Sequence, residues 1–101
     1  MSKVVVIFEM PGLTAAQYDT ILAELKAQGK LMDKKRPAHI AFQKGESWCV
    51  IDVWDSQEEM MELAQTTLFP IFEKLGIAPA QPNFYPVHNY IGSVMEEQVE
   101  A

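Results

Sequence analysis

The sequence predicts an α+β fold in which four antiparallel strands form one sheet and the helices pack on a single face. Three observations lead there. Short runs rich in β-branched and aromatic residues, VVVIF (Val4–Phe8), PAHIAFQ (Pro37–Gln43), WCVIDVW (Trp48–Trp54) and FYPVHNYI (Phe84–Ile91), read as strands. Two intervening segments carry apolar residues at helical spacing, each opened by a capping signature. KGES (Lys44–Ser47) lies between the second and third runs and reads as a turn, which makes them a hairpin.

Each element has a local cause. VVVIF is continuously apolar, as in a strand covered on both faces, and Pro11–Gly12 ends it. TAAQ (Thr14–Gln17) forms a capping box, with Thr14 as N-cap and Gln17 reaching back. Tyr18, Ile21, Leu22 and Leu25 follow at helical spacing, and Gly29 is a natural stop, giving a helix over roughly Ala15–Gln28. The basic run KLMDKKRP (Lys30–Pro37) reads as a solvated loop, since no helix start accompanies it to build an anion site. SQEE (Ser56–Glu59) is a second capping box, and Met60, Leu63, Ala64, Leu68, Ile71, Phe72 and Leu75 keep one helical face. Pro70 falls inside that pattern, so a break is expected: one helix to about Thr66 and a new, short one begun at Thr67. APAQPN (Ala78–Asn83) is an extended linker, and Pro82 and Pro86 suit a fourth strand at an edge.

The order is therefore β-α-β-β-α-β, the ferredoxin-like pattern. A sheet with one wet face alternates apolar and polar residues along each strand. Here Val4 to Phe8 are apolar on both parities, and Val50, Ile51, Val53 and Trp54 nearly repeat this, with Asp52 the exception. The helix-free face is thus expected to be covered, and a chain of 101 residues has no spare element to do it. A second copy, sheet facing sheet, does so; a homodimer is expected.

Bulk properties set further bounds. Residues 1–95 form a single domain, and EEQVEA (Glu96–Ala101) is an acidic tail expected to fray. The net charge of −6, with no basic cluster interleaved with aromatics, argues against nucleic-acid binding. The lone Cys49 sits in an apolar strand and reads as a buried structural thiol, without an internal disulfide partner. The apolar run near the N-terminus is too short for a membrane span or a signal-peptide core, so a cytoplasmic protein without a membrane partner is expected.

The run VIDVWDSQEEM (Val50–Met60), a strand leading through Asp-Ser into an acidic helix, and the later PVHN (Pro86–Asn89), together with element order and length, resemble the dimeric α+β barrel superfamily. Within it the chain is most similar to small antibiotic-biosynthesis-monooxygenase-like proteins. The resemblance covers Lys3 to about Gly92. It implies a dimeric α+β barrel with a cavity between sheet and helices in each chain. It also implies a monooxygenase-like activity, without metal or flavin, on a small aromatic or phenolic compound. Fold likeness alone does not fix function, because one fold hosts many chemistries. A non-catalytic small-molecule-binding or stress-responsive dimer and a muconolactone-style isomerase are the alternatives. The haem-degrading branch does not fit: its first-strand asparagine is missing from IFEMPG (Ile7–Gly12), and its helical Trp and His are missing from residues 57–75.

Two histidines focus the site question. His39 and His88 are candidate general bases, because imidazole exchanges protons near neutral pH. The other reading of each is an imidazole bridging strands or a dimer seam. Asp52, acidic in an apolar strand, needs a partner and is either a catalytic carboxylate or half of a structural pair. Trp54, Tyr85 and Asn89 are candidates to position a planar substrate, against the reading that such aromatics fill the core. A two-histidine metal site, with Asp52 or Glu9 as third ligand, lacks the HxH or HxxxH spacing that metal sites favour, so no metal or other cofactor is assigned.

Overall fold

The computed structural model describes residues 3–32, 34–78 and 80–92. The expected acidic tail, 96–101, lies outside the described residues, as does the end of the expected domain at residues 93–95. The strands are β1 (Val4–Pro11), β2 (Ala38–Lys44), β3 (Ser47–Trp54) and β4 (Asn83–Pro86). They form a four-stranded sheet in the order β2-β3-β1-β4. Every pairing in it is antiparallel. Helix α1 (Ala15–Ala27) joins β1 to β2. A second helical region joins β3 to β4, made of α2 (Gln57–Leu63), a π-helical turn over Ala64–Leu68, and α3 (Phe69–Leu75). This small α+β architecture is consistent with a ferredoxin-like fold.

Local chemistry explains the boundaries. Both arms of the first capping box are present: the Thr14 hydroxyl accepts from the Gln17 N–H at 3.1 Å, and the Gln17 side chain accepts from the Thr14 N–H at 2.9 Å. Ser56 caps α2 by accepting from the Glu59 N–H at 3.2 Å, but the return arm of the expected second capping box is not made among the described residues; Glu59 Oε1 pairs with Lys35 at 3.5 Å instead. The β2–β3 hairpin closes through the two residues Gly45 and Glu46, with Gly45 at φ +60°, where a two-residue loop of the type II′ kind places glycine.

Pro70 does not divide the second helical region as the sequence suggested. The chain stays helical through it and takes a π turn immediately before, with Pro70 in the first turn of α3. A proline there lacks only an N–H that the widened turn leaves without its usual acceptor, so continuity costs little. The fourth strand is also shorter than expected. It ends at Pro86 rather than near Ile91, because Pro86 already pairs with Val4, the first residue of β1. One further bond, from the Val87 N–H to the Lys3 carbonyl at 2.9 Å, closes the ladder.

Register assigns every strand residue to a face. Val6, Asp52 and His39 lie side by side across β1, β3 and β2, and so do Phe8, Val50 and Ala41. This is the helix-covered face, and Val6, Phe8, Val50 and Trp54 are buried there against Ile21, Leu25, Met60, Ile71 and Phe72. The opposite face carries Val5, Ile7, Ile51, Val53, Ile40, Phe42 and Tyr85. In one chain these are half-buried or exposed, Ile40 at 59% and Tyr85 at 53%. Cys49 also belongs to that face and is nevertheless a buried free thiol. No helix among the described residues is long and apolar enough to cross a membrane.

Candidate functional site

The site is built where β2, β3 and α1 meet. Asp52 sits at the middle of an interior strand and points to the helix side, with Val6 on one flank and His39 on the other. It is 5% exposed, one of the few buried polar residues in the described chain. A carboxylate so placed must be hydrogen-bonded to be tolerated. His39 Nδ1 makes a short hydrogen bond to Asp52 Oδ1. The Trp54 indole N–H donates to Asp52 Oδ2 at 3.4 Å. His39 reaches this partner because β2 is an edge strand whose helix-facing positions are 39, 41 and 43.

The other ring nitrogen is also engaged. His39 Nε2 lies 2.5 Å from the Tyr18 hydroxyl, which comes down from the first turn of α1. The two rings are parallel, 6.1 Å apart and 6° from coplanar, and Tyr18 rests on Trp48 at 5.1 Å on its other side. Burial pushes the Tyr18 phenol up to about 12, with the negative charge of Asp52 adding to the shift, Arg36 opposing it, and Asp19 adding a smaller push. Tyr18 therefore stays a neutral O–H near pH 7 and donates. In the neutral imidazole the carboxylate, which only accepts, places the ring hydrogen on Nδ1 and leaves Nε2 to accept from Tyr18. The result is a directed chain, Tyr18 O–H to His39 to Asp52.

Arg36 completes the surroundings. Its Nη2 donates to the Leu31 carbonyl at 2.6 Å, and its guanidinium carbon lies 5.9 Å from the centre of the Trp54 ring. Tyr18, His39, Asp52, Arg36 and Trp54 all line one cavity between sheet and helices, walled otherwise by apolar side chains such as Met60 and Leu68. Its volume is about 50 Å³. That is room for a few water molecules, since each needs about 10–15 Å³. Leu63 and Leu68, which flank and end the π turn, form part of its wall. A π turn breaks the regular helical ladder, and such turns recur beside functional sites.

The structure thus brings together His39, Asp52 and Trp54 of the expected set, and it does not bring the others to them. Tyr85 lies on the opposite face of the sheet, on the far edge strand. His88 and Asn89 follow the end of β4 and are exposed. The expected fourth strand stops at Pro86, so His88 and Asn89 are not held in the sheet. Two site residues escaped the sequence reading. Tyr18 looked like an ordinary member of an apolar helical face, although that face had to meet the strand carrying His39. Arg36 was assigned to a solvated loop, although Pro37 fixes it at the entry to β2. Among the described residues no three of His, Cys, Asp and Glu converge as a metal site.

No known protein family, curated protein or solved structure matches this chain.

Proposed function

We propose that this chain is a small acid–base enzyme that takes a proton from a compact aromatic or phenolic substrate, in the manner of the antibiotic-biosynthesis-monooxygenase-like proteins its sequence resembles. The observation that carries the reading is the Tyr18–His39–Asp52 chain opening on an otherwise apolar cavity. A substrate hydroxyl seated at Tyr18 gives its proton to the phenol oxygen while Tyr18 passes its own to His39 Nε2. Asp52 holds the opposite ring nitrogen throughout and stabilises the charge that forms there. Tyr18 never becomes an anion, in keeping with a phenol that resists ionisation. By the resemblance, the electron-rich substrate anion then reacts with O2 directly, without metal or flavin: one oxygen atom enters the ring, which loses two hydrogens in becoming a quinone, and the other oxygen atom leaves with them as water.

The test is oxygen uptake and product formation on a panel of phenols. His39→Ala and Asp52→Asn each lower turnover by about 10²- to 10⁴-fold, the usual worth of a positioned acid–base group. His88→Ala, remote from the cavity in one chain, leaves it unchanged. Full turnover by His39→Ala sinks the proposal. Turnover that persists without oxygen moves the reading to an isomerase.

The apolar helix-free face supports a homodimer as the working unit. Val5, Ile7, Ile51, Val53, Ile40 and Phe42 present a continuous apolar surface, and burying it gains about 25 cal/mol per Å². One observation favours a second reading. A cavity of about 50 Å³ is too small for an aromatic ring unless its wall moves. A non-catalytic dimer, with the Tyr18–His39–Asp52 chain as a structural bridge, binds phenols without product or not at all.

A further inference from the structure

The proposed proton transfer leaves negative charge on the substrate, and the cavity contains one group suited to hold it. Among the described residues, Arg36 is the single cation lining the cavity. It is half-buried and fixed from two sides, by the Leu31 carbonyl and by the Trp54 ring. It makes no ion pair with a carboxylate among the described residues. A guanidinium has five N–H donors in a planar fork, and among the described residues one bond, from Nη2 to the Leu31 carbonyl, is made. Asp52, the anion of the same cavity, is already taken by His39 and Trp54. The Arg36 charge also reaches the Tyr18 hydroxyl, where it opposes the effect of burial.

We propose that Arg36 is the anion-holding residue of this cavity, and that its ligand is a small planar molecule bearing a carboxylate or phenolate oxygen. The inference rests on the acid–base reading for its second source of charge but not for its first. A carboxylate present before binding needs only Arg36. A phenolate produced in the cavity needs His39 as well. In both cases the oxygen anion meets a positioned fork of donors in a site of low polarity, where charged hydrogen bonds are strongest. The apolar walls, which move apart to admit a ring into a cavity of about 50 Å³, hold the rest of the molecule. A cation, or a neutral ligand with no proton to give, gains nothing from the Arg36 charge.

The experiment is equilibrium binding of benzoate, its neutral isostere benzamide, and phenol, followed by quenching of tryptophan fluorescence, since Trp54 lies under Arg36. Wild type is compared with Arg36→Gln, Arg36→Lys and His39→Gln, each checked for folding by circular dichroism. Benzoate binds at least about tenfold more tightly than benzamide, and Arg36→Gln weakens benzoate by about 10- to 100-fold while leaving benzamide unchanged. Arg36→Lys, which keeps the charge but not the fork, also weakens benzoate more than benzamide, and decides the matter if Arg36→Gln does not fold. Benzoate affinity independent of His39 identifies the carboxylate source. Phenol affinity that needs both Arg36 and His39 identifies the phenolate source. Equal loss of benzoate and benzamide, no loss of either, or no binding of any probe overturns the proposal. Turnover lost in His39→Ala but with probe affinity unchanged in Arg36→Gln keeps the enzyme reading and removes this one. Arg36-dependent benzoate binding without turnover on any phenol does the reverse.

Discussion

Replacing His39 by alanine should destabilise the fold by about 2–3 kcal/mol, a large share of the roughly 5–15 kcal/mol available to a domain of this size. The reasoning starts from Asp52. Its side chain is 7% exposed and that of His39 26%. Without the imidazole, Asp52 keeps, among the described residues, only the long side-chain bond from the Trp54 indole at 3.4 Å. Leaving a buried charged acceptor without its hydrogen-bond donor costs upwards of about 3 kcal/mol, because the carboxylate stays buried without its partner. A quarter of the His39 surface is open, so water reaches part of the vacated space and lowers the figure. With a urea slope of about 1.5 kcal/mol/M, the unfolding midpoint falls by about 1.3–2 M. The assay is urea unfolding at one fixed protein concentration, so that any self-association enters all variants equally. The cycle with Asp52→Asn then isolates the pair. Once His39 is gone, a neutral amide at position 52 is less costly than a carboxylate, so the double variant recovers about 1 kcal/mol or more relative to the sum of the single changes. A His39→Ala variant within about 0.5 kcal/mol of wild type, with additive single effects, refutes the claim that Asp52 depends on His39.

Other outcomes follow from the same geometry. Tyr18→Phe leaves His39 Nε2 without its donor and costs about 1 kcal/mol of stability. It also removes a phenol that ionises near pH 12 in the folded state against about 10 when unfolded. The raised value means that Tyr18 contributes stability below pH 10 that is lost as pH climbs to about 12, so melting temperature falls more steeply across that window in wild type than in Tyr18→Phe. Ile51→Lys places a charge at the centre of the helix-free face; under the proposed sheet-to-sheet dimer, light scattering reports a larger mass for wild type than for the variant, and equal masses refute that assembly. Thr14→Ala removes the acceptor for the Gln17 N–H and costs about 1 kcal/mol by thermal unfolding, while turnover on any confirmed substrate stays as in wild type.

The fold was legible because its signals are local. The Thr14 and Ser56 caps, the Gly45 turn and the two helical apolar stripes each act within a few residues, and each holds in the structure. Where the reading failed, distant geometry decided. The length of β4 is set by where β1 begins, eight tens of residues earlier in the chain, and no feature of FYPVHNYI reveals it. Pro70 breaks most helices, yet here a π turn absorbs it, a solution that hydrophobic periodicity does not encode. His39 and Asp52 were singled out as residues, but their pairing depends on the β2–β3 register, which the two-residue turn sets. Tyr18 and Arg36 were hidden for opposite reasons, one by its place among core residues and the other by its basic neighbours.

That pairing also bears on why the cluster exists. A buried carboxylate–histidine pair is weak evidence for stability, since well-packed apolar residues of similar size often serve a core as well or better. Positions 39 and 52 face the same side of the sheet as Val6, Phe8 and Val50, so leucine or valine at either place suits the pattern of that face. The fold therefore does not require polar residues there. What the polar residues add is direction: a donor on α1, a ring on the edge strand and an acceptor on the interior strand, lined up at one end of a cavity with a cation beside them. The opposite face of the same sheet is apolar throughout its centre and offers no such arrangement. One face is thus apolar and the other carries the polar cluster, and the alternation of side chains along each strand keeps the two apart.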